Sequence, residues 1–359
     1  MRVAMDLTPL LGVRSGVARV VEGWWRGLRA NPDLDMEGYT LSWADRTGAG
    51  VLAVALPLPA SIATRTWRKW DRPKVDRWLD QPDLIHATNH VAPSATAPTL
   101  LTVMDLSFVH DASLVGKHIR RFDDSIRLAV ERGVVLHTIS QFVADELKER
   151  YGADAHVVYP GVSFGDVQVF DNQDSASGPP QIVAIGTAIE RKQFPLLVEA
   201  FAAVAAYDSD VRLVIAGAEG PDSDAINERV AALSADAQSR VELVGWVDEA
   251  GIAELYSTAA VIAHPSRYEG FGLPILEAFV HGVPVVAGSG GAVAEIAGDA
   301  ARLVSGSDAD ELGAALIDLL SDDDQRSQLV ERGRLRARDF DWGTSVTKMA
   351  ELYKSVGDR

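Results

Sequence analysis

Residues 181–217, QIVAIGTAIERKQFPLLVEAFAAVAAYDSDVRLVIAG, decide the fold. A short Ile- and Val-rich run closes on Gly186, a polar loop follows, Pro195 opens an apolar helical stretch, and a second Ile/Val run returns at 211–217. Strand, helix and strand at this spacing make a βαβ unit, two parallel strands joined by a crossover helix. The pattern continues in both directions. Toward the C-terminus VELVG, AVIAHP, VPVVAG and ARLV read as further strands, and helical segments begin near Pro195, Ala225, Asp248, Pro274, Ala292 and Asp308. Toward the N-terminus RVAMDL, DLIHAT, TLLTVMDL and VVLHTIS read as buried strands, with helical patterns near 17–30 and 141–151. The fold class is α/β.

At 359 residues the chain has room for two domains, since one core rarely serves more than about 250–300 residues. FGDVQVFDNQDSASGPP, residues 164–180, has linker composition and separates an N-terminal domain, 1–163, from a C-terminal one, 181–340, with a closing helix over 341–359. No internal repeat suggests a solenoid or propeller. The 47% hydrophobic and 24% charged composition is that of a folded globular protein. Zero cysteines exclude disulfides, thiol catalysis and thiolate metal sites. The eight His are scattered with no HExxH-type pair, so neither a metal site nor a cofactor is expected. The net charge of −17 argues against a nucleic-acid partner, which needs a basic surface. Residues 1–163 hold 19 Lys+Arg and 19 Asp+Glu, so residues 164–359 carry the entire −17. The N-terminus reads as strand and loop rather than signal peptide, and no run is long and apolar enough to span a bilayer. A cytoplasmic protein is expected, at most peripheral at the inner membrane face.

Ligands of open α/β sheets bind outside the carboxyl ends of the strands, so the loops after strands are where chemistry is sought. The most informative is HPSRYEGFGLPILEAFVHGVP, residues 264–284. A loop with Glu269, Gly270 and Gly272 leads into a helix with Pro274 at its first position and Gly282 just past its end. The N–H groups of Phe271, Gly272 and Leu273 are then donors at a positive helix end, and Gly272 admits a ligand close to the backbone, which suits a diphosphate or sugar hydroxyls. Glu269 and Glu277 would repel a phosphate, so they read as acceptors for sugar or ribose hydroxyls. The competing reading is a glycine-bracketed turn with two solvated glutamates.

The loop TAIERKQF, after Gly186, places Arg191 and Lys192 just before a helix start, where two cations and the helix dipole make a diphosphate clamp; a solvated surface pair is the alternative. TPLLGVRSGVARV offers Gly12, Gly16, Arg14 and Arg19 but is not GxGxxG and lacks the acidic residue of a nicotinamide site, which disfavours a dehydrogenase. A phosphate-facing loop and an ordinary βα turn stay open there. DLIHATNHVAP and TVMDLSFVHD put His86, Asn89, His90, Asp105 and His110 at strand ends, as catalytic candidates or satisfied structural groups. TRTWRKWDRPKVDRW, 64–78, interleaves Trp67, Trp70 and Trp78 with six Lys or Arg. It is either a surface for an anionic membrane bearing a lipid-linked acceptor or a helix whose tryptophans are core.

Together these segments resemble the retaining glycosyltransferases of GT-B fold usually numbered family 4, over nearly the whole length. The hallmark of two glutamates separated by seven residues within EGFG-x-P-x-LEA stands here as Glu269, Gly270, Phe271, Gly272, Pro274, Leu276, Glu277 and Ala278. GTAIERK, VELVGWVDEAGIAELYSTA, HGVPVVAGSGGAVAEIAGDA and the closing FDW are similar as well. The resemblance implies two Rossmann-like domains facing across a cleft, and metal-independent transfer of a hexose from a nucleotide-diphosphate sugar with retention. By it, Arg191 and Lys192 neutralise the diphosphate, Glu277 holds the ribose hydroxyls and Glu269 those of the transferred sugar. Backbone around Gly245 and Trp246 holds the base, while Gly16, Gly186, Phe271, Gly272 and Leu273 complete the donor site. A donor phosphate oxygen takes the acceptor's proton, and a final helix, about 341–356, crosses back onto the N-terminal domain. The HATN subgroup favours mannose, with a glycan or lipid-linked acceptor.

That subgroup ends a strand with His-Asp-Leu-Ser-Phe, and its histidine meets the donor sugar. Here the stretch reads Met104, Asp105, Leu106, Ser107, Phe108. Asp105 and His110 join Glu269, Arg191 and Lys192 as catalytic candidates, and Met104 joins the donor-binding set. A thioether offers no strong hydrogen bond, so either the donor presents an apolar face, as a deoxy sugar would, or His110 or Asp105 restores the contact. Met104 also keeps open a catalytically silent GT-B protein that binds a nucleotide sugar within a glycan-assembly system.

Overall fold

The computed structural model describes residues 1–11, 15–41, 53–57, 60–110, 120–163 and 178–358. Gly12, Arg14 and residues 164–177 of the expected linker lie outside the described residues. The chain divides into two compact units, Met1–Gly161 with Phe340–Arg359, and Val162–Asp339.

Unit 1 holds strands β1 (Arg2–Asp6), β2 (Asp35–Thr40), β3 (Ala53–Ala55), β4 (Leu84–Ala87), β5 (Thr99–Val103), β6 (Val135–Thr138) and β7 (Ala155–Val157). They pair in the order β3-β2-β1-β4-β5-β6-β7, all parallel. Helices α1 (Gly16–Arg29), α2 (Ala60–Trp70), α3 (Ser107–His110), α4 (Arg120–Glu131) and α5 (Gln141–Tyr151) connect them. β4 and β5 are buried at every residue, which is why they read as unbroken apolar runs. β2, with the sequence DMEGYT, carries no such run; pairing with β1, from Arg2–Asp35 to Asp6–Tyr39, makes it a strand. Segment 64–78 is not one helix. α2 stops at Trp70, and a separate 3-10 turn covers Val75–Trp78. Trp67 is core, whereas Trp70 is 61% exposed with Lys69 Nζ 4.8 Å from its ring.

Unit 2 holds β8 (Gln181–Ile185), β9 (Arg212–Ala216), β10 (Val241–Gly245), β11 (Ala259–His264), β12 (Val285–Gly288) and β13 (Arg302–Val304), in the parallel order β10-β9-β8-β11-β12-β13. Around them run α6 (Phe194–Tyr207), α7 (Ser223–Ala231), α8 (Ala235–Gln238), α9 (Glu249–Thr258), α10 (Leu273–His281), α11 (Val293–Ala297), α12 (Ala309–Ser321) and α13 (Asp323–Ala337). Leu197, Val198 and Phe201 of α6 share one core with Leu312, Leu316 and Leu319 of α12. Some of this unit's acidity has a local use. The Asp248, Asp308 and Asp322 side chains accept from amides in the first turns of α9, α12 and α13, each cap being worth about 1 kcal/mol.

The last helix, α14 (Trp342–Gly357), packs on unit 1, capped by Asp341. It lies so close to α1 that a Cβ at Gly23 would stand 2.2 Å from Trp342 and one at Gly27 2.2 Å from Val346. Trp24 Nε1 donates to Ser345 Oγ at 2.9 Å across this contact. In both sheets the chain moves outward from a central strand and then returns to its other side. The order therefore reverses between β1 and β4 and between β8 and β11, and it is beyond the carboxyl ends at such points that sheets of this type bind ligands.

Candidate functional site

The switch point of unit 2 is flanked by two loops. One leaves β8 through Gly186 into a 3-10 turn, Glu190–Lys192, that ends on Gln193 at φ 55°. The other leaves β11 at His264 and runs to Gly272. Arg267 joins them: its N–H donates to Arg191 O at 2.9 Å and its guanidinium to Glu190 Oε1 at 2.8 Å. Ala292 N donates to Glu269 O at 2.8 Å, and a Cβ on Gly290 would stand 1.8 Å from Arg267 O. The second loop is thus seated backbone against backbone, where only glycine fits.

Side chains converge on Glu269. Lys192 Nζ donates to its Oε1 at 2.5 Å, and Arg191 Nη1 lies 2.8 Å from its Oε2 while also donating to Tyr268 O. Gly186 lies under the Lys192 stem; a Cβ there would come within 3.1 Å of Lys192 Cε. Glu269 and Lys192 are each 7% exposed. Burial by itself would raise the Glu269 carboxyl, but the charges of Lys192 and Arg191 prevail and hold it well below the usual carboxylate range. The cluster is therefore two cations and one anion, with net charge +1 at the carboxyl ends of β8 and β11.

His264 had no role in the sequence reading, although it stands in the quoted segment. It is 2% exposed, its Nε2 lies 3.3 Å from Glu269 Oε1, and that nitrogen is buried without a hydrogen bond of good geometry. Burial first and the Lys192 charge second lower its pKa, so the ring is neutral. Ser266 Oγ is a second buried polar atom without a partner on the same loop.

Glu277 meets other groups. It is buried on α10, and its Oε2 accepts from Tyr256 of α9 at 2.9 Å; Tyr256 stacks on His281 at 4.9 Å. Helix α10 begins after Gly272, at φ 106° with no side-chain cap, and ends on Gly282 at φ 69°. Gly272 and Leu273 thus open the helix, next to the buried Phe271. Gly245 and Trp246 close β10, two strands from β8, with Gly245 O accepting from Gly217 N at 2.8 Å and Trp246 57% exposed.

In unit 1, Gly16 opens α1 after the N-cap Ser15. Met104 is 2% exposed just past β5. Asp105 Oδ1 accepts from Ser107 N at 3.0 Å and Ser107 Oγ at 2.8 Å, closing a turn. His110, at the end of α3, pairs with Glu146 of α5; the ring that reaches Asp105 is His90, whose Nε2 donates to Asp105 O at 3.0 Å. His86 is interior. Its Nδ1 bonds Tyr353 OH of α14 at 2.6 Å and its Nε2 bonds Thr102 Oγ1 at 2.7 Å, and burial holds it neutral. Asp6, also unassigned from sequence, ends β1 at the switch point; it is 5% exposed and bonded through Oδ1 to Thr8 N and Oγ1. Burial pushes its carboxyl up to about 6 against these bonds.

Residues 14–164 match the family described as Glycosyltransferase Family 4, and residues 168–336 that of Glycosyl transferases group 1. A phosphatidyl-myo-inositol mannosyltransferase of Mycolicibacterium smegmatis is 27% identical over 339 residues, 91% of this chain and 84% of the relative. O-antigen chain mannosyltransferase B of Escherichia coli is 32% identical over 172 residues, 47% of this chain and 44% of the relative, so that match spans under half of its length. Among solved structures, WaaG, a glycosyltransferase involved in lipopolysaccharide biosynthesis, superposes with TM-score 0.77 at 16% identity, covering 98% of this chain and 99% of that one. Sucrose-phosphate synthase from Thermosynechococcus elongatus gives 0.75 at 21%, covering 99% and 98%. Identities this low speak to the fold alone, and the fold agrees with what the sequence matches say of each half. The chain belongs to the group 1 glycosyltransferases of family 4, with the GT-B fold.

Proposed function

We propose that this glycosyltransferase moves a hexose, with mannose favoured, from a nucleotide-diphosphate sugar to a glycan or lipid-linked acceptor, with retention at the anomeric carbon and without a divalent metal. The observation that carries the reading is the buried Arg191–Lys192–Glu269 cluster at the unit 2 switch point. Departure of a sugar from its diphosphate has an oxocarbenium-like transition state, and the barrier falls chiefly through stabilising charge on the leaving group. Arg191 and Lys192 supply two cations for that charge, and the amides at the start of α10 add the positive end of a helix.

In this reading Glu269 turns to the hydroxyls of the transferred sugar and Glu277, beside Tyr256, to the ribose. Gly186, Phe271, Gly272 and Leu273 line the diphosphate, and backbone at Gly245 and Trp246 meets the base. Gly16, Met104, Asp105 and His110 are the contributions of unit 1, which takes the acceptor. Mannose is favoured because both relatives are named mannosyltransferases. A lipid-linked acceptor is supported by the end of α2, where Trp70 is exposed beside Lys69, a pattern suited to resting on anionic lipid. Binding to anionic vesicles that vanishes in Trp70→Ala would bear this out, and no binding at low salt would end it.

The test is a melting screen against GDP-, UDP-, ADP- and dTDP-sugars, followed by a transfer assay with the stabilising donor and determination of the product's anomeric configuration. A donor at a hundredfold excess over its Kd adds about 2.7 kcal/mol to the folded state. No stabilisation by any donor, or an inverted product, would contradict the proposal.

A further inference from the structure

Both Glu269 carboxylate oxygens are held by the cations a diphosphate needs, Oε1 by Lys192 at 2.5 Å and Oε2 by Arg191 at 2.8 Å. Glu269 therefore stands where the phosphates' charge would stand, and an arriving diphosphate competes with it for the same two side chains. Once they turn to the phosphates, a 7% exposed carboxylate is left without them, and an uncompensated buried charge is strongly unfavourable. His264, at the end of the strand that leads into the same loop, is a replacement at hand. Its Nε2 lies 3.3 Å from Glu269 Oε1, is buried, and makes no hydrogen bond of good geometry; a buried polar atom so poorly met is rare and calls for an explanation. Both backbones are fixed, that of His264 by pairing with Ala287 of β12 and that of Glu269 by Ala292 N. A small rotation of the carboxylate closes the gap.

Resting on the donor-site reading above, we infer that His264 is a positioning residue that receives Glu269 when a nucleoside diphosphate takes Arg191 and Lys192, holding Oε1 and leaving Oε2 to face the sugar hydroxyls. The resting pairing of Glu269 with the cations and the donor-bound pairing of Glu269 with His264 are then two states of one carboxylate, and the diphosphate selects the second. Charge on the lysine and neutrality of the ring agree with this, because a neutral imidazole protonated at Nε2 donates to a carboxylate without adding a third cation to the site.

The experiment uses the full-length protein and GDP, UDP, ADP and dTDP, each titrated by calorimetry, with the tightest binder carried forward. Wild type, His264→Leu, His264→Gln, Glu269→Gln and the double variant Glu269→Gln/His264→Leu are compared, with melting curves to show that each is folded. His264→Leu is expected to weaken the nucleoside diphosphate by about ten- to a hundredfold, the range of one hydrogen bond to a charged group. His264→Gln, whose amide reaches the Nε2 position, is expected to restore binding to within about twofold on the same scale. In the Glu269→Gln background His264→Leu should change nothing, because the carboxylate that needed a partner is gone. Should His264→Leu not fold, His264→Asn, whose amide stops short, takes its place. Equal loss in both backgrounds, no loss in either, or failure of glutamine to restore binding overturns the inference while leaving the donor site standing. Absence of binding by the wild type overturns both.

Discussion

Asp6→Asn should stabilise unit 1 at neutral pH. Asp6 ends the central strand β1, and its Oδ1 already accepts from Thr8 N at 2.9 Å and Thr8 Oγ1 at 2.5 Å. An amide oxygen can take both bonds, so the substitution removes the charge and keeps the turn. Burial raises the carboxyl from 3.8 to about 6 in the folded protein. The folded value lies above the unfolded one, so the proton binds the native state more tightly. Stability is greatest below 3.8, falls as pH rises to about 6, and is level beyond. Each tenfold change in proton affinity is 1.36 kcal/mol, so the loss is about 3 kcal/mol. The variant lacks this slope. Its advantage should be near zero at pH 3.5, open between pH 4 and 6, and reach about 3 kcal/mol above pH 7, less whatever the new amide hydrogens lose by burial. Seven of the eight tryptophans fall within the sequence ranges of unit 1, so urea unfolding followed by tryptophan fluorescence reads that unit. With a urea slope of about 2 kcal/mol/M the midpoint should rise by about 1.5 M at pH 8. A variant no more stable than wild type at pH 8, or a difference independent of pH, would refute the reasoning.

Lys192→Ala leaves Glu269 with Arg191 alone; stability should fall by about 2–4 kcal/mol, as for a half-broken buried pair, and calorimetry should show at least a tenfold loss of nucleoside diphosphate affinity. Glu277→Ala should weaken nucleotide-sugar binding and, by leaving Tyr256 OH with Pro274 O at 3.2 Å as its acceptor, lower stability by about 0.5–1.5 kcal/mol, read as a drop in melting temperature. Met104→His should leave the fold intact and move donor preference toward fully hydroxylated hexoses in competition assays with paired hydroxy and deoxy donors. An unchanged donor ratio would make Met104, 2% exposed, a packing residue. Transfer should persist in excess EDTA, and activity lost to EDTA and restored by magnesium or manganese would contradict the metal-free mechanism.

The elements that could be read from sequence are those whose local signals agree. β8, α6 and β9 follow from two apolar runs around Pro195, and the helix starts near Asp248 and Asp308 follow from N-cap chemistry that the structure displays directly. β2 could not be read, because Asp35 and Glu37 break any pattern and the strand exists by virtue of its neighbour. The same limit applies to single side chains. His86, His90 and His110 all stand near strand ends, and nothing local separates them. Their fates are set by Tyr353, Asp105 and Glu146, the first 267 positions away in sequence. Arg191, Lys192 and Glu269 each stood out in the sequence as candidates, but not as partners, since the pairing of Lys192 with Glu269 spans 77 positions and depends on the β8–β11 adjacency. His264 was hidden for the same reason: its meaning comes from being walled in beside that pair.

Each unit places a buried carboxyl at its switch point, and the two behave in opposite ways. Asp6 has neutral partners, so burial wins and its proton is held more tightly; Glu269 has two cations, so the charges win and its proton is given up. For Glu269 the folded value lies below the unfolded one, and its stabilising contribution is present at neutral pH and lost only as acid passes below the ordinary carboxylate range. The comparison also answers an apparent conflict of charge. Residues 164–359 carry the whole −17, yet the site assigned to an anionic donor lies among them. Exposed charges are screened over about 8 Å at physiological ionic strength, whereas buried ones are not. The acidic caps of α9, α12 and α13 sit at helix starts where solvent and dipoles absorb them, while Lys192 is 7% exposed and acts at contact distance. On the proposed donor site, an entering phosphate would meet the local +1 of the cluster. Affinity for a nucleoside diphosphate should accordingly respond steeply to Lys192 and weakly to substitutions among the acidic caps.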